Sequence, residues 1–166
     1  MHRRLTFFVT LVVALLLQLT VAPEISIGAV KPDILLVATI CWALCEGPGQ
    51  GALFGFCGGI LDDIFSTAVL GVSAFAKTIV GYFSGELRQR VISKSVIWPI
   101  IIVFFGSILQ ELIRFATWAM VGLEEPPPFS IGVIAGLALY NALITLLIYP
   151  VIGRFAGSED GALMFQ

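Results

Sequence analysis

Six ionisable residues lie inside or at the edges of long apolar runs in this chain of 166 residues: Asp33, Asp62, Asp63, Lys77, Glu111 and Arg114. A charged side chain at the centre of a bilayer costs about 2.5–3.5 kcal/mol on insertion scales, so each needs a partner or a reason. Carboxylates set against an ammonium and a guanidinium can act as structural ion pairs that fix helix register. They can also bind a polar ligand in a cavity, or relay protons or ions. A relay has the weakest footing, because no chain of titratable groups reaches the cytoplasmic side. Glu111 and Arg114 stand at i, i+3 and can pair on one helix. Enzyme chemistry finds no residues to carry it: there is no HExxH, no Ser/His/Asp set, no CxxC and no phosphate loop, and the one histidine, His2, sits at the terminus. Cys41 and Cys45 share a helix face, but neither they nor Cys57 have the further His or acidic ligands that a metal site needs, so buried inert thiols are expected. No cofactor is expected. One loop of three basic residues does not make a nucleic-acid surface.

The elements that position these residues follow from composition. The chain is 58% hydrophobic and 12% charged, with a mean hydropathy of +1.02. A soluble domain carries about 25% charged residues, so lipid must be the solvent here. Only helices and closed barrels satisfy their backbone groups in hydrocarbon. The unbroken apolar runs lack the alternation of a barrel. The sequence therefore predicts an all-α, polytopic membrane bundle of about six transmembrane helices in a single domain over residues 1–156.

Hydropathy and the breakers place the helices at about 5–22, 33–45, 50–65, 71–87, 97–121 and 130–153, with a disordered cytoplasmic tail at 157–166. The start, Met-His-Arg-Arg before an apolar run, has the look of a signal peptide. Pro23 disfavours cleavage after Ala22, and an uncleaved first helix is expected. The second segment rises only about 20 Å against roughly 30 Å of hydrocarbon. The second and third segments either thin the bilayer or form a re-entrant pair. Counting alternate sides, Arg3, Arg4, Arg88, Arg90, Lys94 and Arg154 fall together, while Lys31 faces the other way with Glu24, Glu124 and Glu125. By the positive-inside rule, both termini and the Arg88–Lys94 loop are cytoplasmic and the Pro126–Pro128 loop is outside.

This topology gathers the charges in the outer half of the bundle. Asp33, Asp62 and Asp63 fall near outer helix ends, Lys77 about 10 Å below one and Glu111 about 15 Å below another, at the rise of an α-helix. A polar pocket open to the outside is expected, with Lys77 and Arg114 offsetting the acids. Gly47, Gly51, Gly55 and Gly59 recur every four residues, with Gly58 beside them, and make a smooth helix face of the kind that drives packing in lipid. Gly81/Gly85 and Gly132/Gly136 repeat the spacing. The face serves either internal packing or docking of a partner helix. In the docking case, Gly55→Leu abolishes complex formation and leaves insertion intact.

Residues 31–85 carry a further pattern: Lys31-Pro32-Asp33, Trp42-Ala43, Gly47 to Gly51, Gly55, Gly58 and Asp62, then Leu70-Gly71-Val72-Ser73-Ala74, Lys77, Gly81 and Tyr82. This order resembles MreD, the rod shape-determining membrane protein family of bacteria. The resemblance implies a non-enzymatic scaffold subunit of the cell-elongation complex in the inner membrane. Such a subunit binds the membrane-anchored scaffold MreC and, through the complex, MreB filaments and peptidoglycan synthases. The family is also similar in fold to the substrate-binding subunits of energy-coupling-factor transporters, which raises a second reading: a small-molecule-binding transporter subunit. Asp33, Asp62, Lys77 and Gly51, Gly55 and Gly58 match the family pattern. Glu111 and Arg114 lie outside it and rest on physics alone.

Overall fold

The computed structural model describes residues 2–66, 69–88, 97–121 and 130–156. The expected tail, the Pro126–Pro128 loop and most of the Arg88–Lys94 loop lie outside the described residues. Six helices follow in order: α1 (His2–Glu24), α2 (Ile34–Glu46), α3 (Pro48–Phe65), α4 (Val72–Leu87), α5 (Ile97–Val121) and α6 (Ile131–Phe155). Their bounds lie within three residues of those expected from hydropathy. The breakers act as their chemistry requires. Gly47, at φ +95°, reverses the chain between α2 and α3 in a single residue, and Pro48 opens α3, where a missing N–H costs nothing. Gly71, at φ +103°, stands at the N-cap of α4.

Three helices, over Arg3–Glu24, Ile97–Met120 and Ile131–Phe155, are long and apolar enough to cross a membrane. The short α2 is buried from Ile34 to Cys45 and touches all five other helices. A helix that is apolar all round must be surrounded, and thirteen residues suffice when the surroundings are protein. Its Trp42 ring stacks on Phe54 at 5.5 Å, and Phe7 of α1 meets both rings edge-on. Outside this core, Phe8, Leu16, Leu139, Leu143 and Leu147 are exposed, as suits a surface solvated by lipid.

The glycine ladder is occupied by the chain itself. A methyl group on Gly55 would overlap the carbonyl of Lys77, one on Gly59 the backbone of Ala74, and one on Gly51 both Ala43 and the Gly81 carbonyl. Gly81 and Gly85 receive α3 in turn, through Gly51 and Pro48. The docking reading of Gly51, Gly55 and Gly59 is therefore corrected: backbone-to-backbone approach of α4 fills that face, and no outside helix can enter it. Gly58 faces the other way, 3.5 Å from Leu11 and 3.6 Å from Leu35 by its missing Cβ, while Gly47 belongs to the turn. Of the other pairs, Gly136 packs on Val30.

The helices are level at one end and stepped at the other. Arg3 pairs with Glu46, and the Arg88 guanidinium reaches over Gly47, so α1, α2, α3 and α4 share the end that carries the N-terminus. At the opposite end, Asp33 at the start of α2 is bonded to Gln110 and Asn141. Those residues stand eleven and ten positions from the ends of α5 and α6. The two long helices thus run about 15 Å beyond the level of Asp33. No residue is buried from Glu111 to Met120 or from Ile131 to Leu137.

Candidate functional site

The polar cluster sits on that step. Asp33 ends the 25–33 loop as the N-cap of α2, and its Oδ1 accepts from the Leu36 N–H at 2.8 Å. A helix start buried in a bundle needs its free N–H groups satisfied internally. Here Asn141 Oδ1 accepts from the Asp33 N–H at 2.9 Å, and Gln18 Oε1 accepts from the Ile34 N–H at 2.7 Å. Asn141 Nδ2 then donates to the Ser107 hydroxyl at 3.0 Å. One polar layer thereby ties α1, α2, α5 and α6 together.

Lys77 closes the layer from α4. Its ammonium donates to Asp33 Oδ2 and to Asp62 Oδ2, both at 2.8 Å, and its side chain has no exposure at all. Gln110 Nε2 donates to the same Asp33 oxygen at 2.8 Å. Close pairing of Lys77 with two carboxylates follows from its depth: an isolated ammonium in this position would lose its hydration with nothing in return. Gln110 is fully buried, and its Oε1 has no donor among the described residues.

The expected residues separate into three groups. Asp33, Asp62 and Lys77 form one ion triad. Glu111 and Arg114 form a second pair at 3.1 Å within α5, with side chains 19% and 35% exposed. Asp63 belongs to neither. Its carboxylate accepts from the backbone N–H groups of Gly71, Ser73 and Ala74 at 2.8–3.2 Å, which makes it a cap for α4 supplied by α3. Asp63→Ala is expected to lower stability by about 0.5–2 kcal/mol, the range for lost helix caps, with Asp63→Asn recovering part of it. Thermal unfolding of the purified variants reads this directly.

Sequence reasoning passed over Gln18, Ser107, Gln110 and Asn141. The available signal was a polar side chain in each apolar run, and such groups hydrogen-bond across helices in membranes. Among the described residues, no group of three or more His, Cys, Asp or Glu side chains could hold a metal ion. Cys41 and Cys45 are buried and Cys57 is partly buried, and none of the three is in a disulfide. The arrangement neutralises charge, caps helices and aligns all six of them at one level. No nucleophile stands beside a general base in it.

A small membrane protein of this kind, all helix and locked by an internal ion triad, is the class that fold and site define. The chain belongs to the MreD family: the family model described as rod shape-determining protein MreD matches residues 1–156. No curated protein and no solved structure matches it. Membership places the chain among rod shape-determining membrane proteins.

Proposed function

We propose that this protein is a non-enzymatic scaffold of the bacterial cell-elongation complex. In this reading it is a multi-pass protein of the inner membrane with both termini in the cytoplasm. It binds MreC and, through the assembly, connects MreB filaments to peptidoglycan synthases. The observation that carries the reading is the family match over residues 1–156. The consumption of charge inside the bundle supports it: Lys77, Asp33, Asp62 and Asp63 are all engaged in holding helices together. The placement of Arg3, Arg4 and Arg88 at one end supports the orientation. A cross-linked pull-down of the tagged protein from native membranes tests it. Recovery of MreC with wall synthases is the expected result. Recovery of a transport ATPase module in their place would overturn it.

One observation favours the second reading, a small-molecule-binding subunit. The unmet acceptor of Gln110 lies beside Asp33, and Asp62, Glu111 and Arg114 are each partly exposed nearby. A ligand that binds only the folded state raises its stability by mass action. Thermal stabilisation of the purified protein by a vitamin or a wall precursor supports that reading, and a flat response across the panel removes it.

A further inference from the structure

Beyond the polar layer only α1, α5 and α6 continue among the described helices. On the other side, α3 ends at Phe65, three residues past Asp62, and α4 starts at Val72, five before Lys77. The layer is therefore the floor of the step, and α5 is one of its walls. Asp62 on the floor is partly exposed, as are Glu111 and Arg114 on the wall. Asp33 and Asp62 both act electrostatically on the Arg114 guanidinium, which sets the wall pair beside the triad. Glu111, Arg114 and Trp118 stand at i, i+3 and i+7 and so share one face of α5. The Trp118 ring lies 5.8 Å from that of Phe115.

What is unspent on this step accepts hydrogen bonds and carries negative charge. Gln110 Nε2 is committed to Asp33, and that bond fixes the amide, since its oxygen turned to the carboxylate would be repelled. Oε1, on the other arm, belongs to a fully buried side chain and has no donor among the described residues. Asp62 gives Oδ2 to Lys77, and a carboxylate has room for further donors. Asp33, Asp62 and Glu111 set three negative charges against the two positive charges of Lys77 and Arg114.

A cation with N–H donors answers both the open acceptor and the surplus charge. A metal ion is a poor match. Hard cations take about six or more oxygen ligands, and no group of three or more His, Cys, Asp or Glu side chains could hold one among the described residues. A primary ammonium has three directional donors and is satisfied by fewer oxygens. Lys77 shows the same chemical group already held at this level by two carboxylates at 2.8 Å. We propose that the step binds the primary ammonium group of a small molecule at Gln110 Oε1 and the Asp62 carboxylate, a site that rests on the small-molecule-binding reading above. Glu111 supplies the balancing charge, and the Phe115 and Trp118 rings give the ligand's carbon stem a surface to pack on.

The test follows thermal unfolding of the purified full-length protein in a neutral detergent during titration with propylammonium chloride. Propyltrimethylammonium chloride keeps the charge and the stem and lacks every N–H, and sodium chloride matches the ionic strength. The expected result is a saturable rise in Tm of several degrees with propylammonium and none with the other two salts, because a ligand bound only by the folded state stabilises it. Glu111→Gln keeps a hydrogen-bond partner for Arg114 and removes the surplus charge, so it is expected to raise the half-saturating concentration several-fold. An equal response to all three salts would overturn the proposal, as would a flat response to propylammonium, and neither outcome needs a variant to fold. A vitamin or wall precursor without an amine that stabilises the protein where propylammonium does not would keep the small-molecule reading and remove the ammonium site. No stabilisation by any of these compounds removes both.

Discussion

Gly55→Leu is expected to leave little folded protein in the membrane, and to do so before any partner is involved. The Lys77 carbonyl stands where the first carbon of any side chain at position 55 would go. Overpacking a side-chain core costs about 1–3 kcal/mol, because neighbouring rotamers move aside. At Gly55 the neighbour is the backbone of α4, held at Gly51 and Gly59 as well, so the cost exceeds that range. Gly58→Ala is the matched control, since its new methyl meets only the flexible ends of Leu11 and Leu35 at 3.5 and 3.6 Å. Monodisperse yield in detergent and thermal unfolding separate the two. A normal yield for Gly55→Leu with loss of MreC alone would restore the docking face that the structure assigns to α4.

Lys77→Met carries the second large effect. The substitution keeps the unbranched stem of the side chain and removes the terminal ammonium, leaving Asp33 and Asp62 without their common partner. Breaking a buried ion pair from one side costs about 3–5 kcal/mol, because the remaining charge stays desolvated and uncompensated. Asp33 also caps α2 and receives Gln110, so its displacement unseats the start of the central helix. Folded yield and melting temperature are expected to fall sharply. Lys77→Arg is expected to recover only part, as a planar guanidinium cannot occupy the position of a compact ammonium between two carboxylates.

Much of this was legible in the chain. Six helices followed from hydropathy and from breaks at Pro23 to Pro32, Gly47-Pro48-Gly49 and near Ser66, because lipid leaves the backbone almost no other option. Asp33, Asp62 and Lys77 were legible as a group because charge in hydrocarbon demands a partner. The partition within the group was not. Asp62 and Asp63 are neighbours in sequence, yet they point to opposite duties, one to an ammonium and one to a row of backbone N–H groups. Only the angle at which α3 meets α4 decides between them. The same angle turned the Gly51–Gly55–Gly59 face inward, since small residues every fourth position state that something lies close and not what it is. Gln18, Gln110 and Asn141 were readable as polar residues out of place, but their partner, the start of a buried short helix, emerges only when α2 is seen to be enclosed.

In this protein the buried charges hold the bundle, and the proposed shape-determining role resides elsewhere. The most direct test is the triple variant Asp33→Asn, Asp62→Asn, Lys77→Met, compared with Lys77→Met alone for melting temperature and for rescue of cell shape in a strain lacking the protein. Replacing every member of a buried ion set is commonly far less costly than removing one. The triple variant is expected to regain most of the stability lost by Lys77→Met and to restore rod shape with it. A triple variant that folds as well as the wild type and still leaves the cells round would make the triad a functional site and not only a structural one.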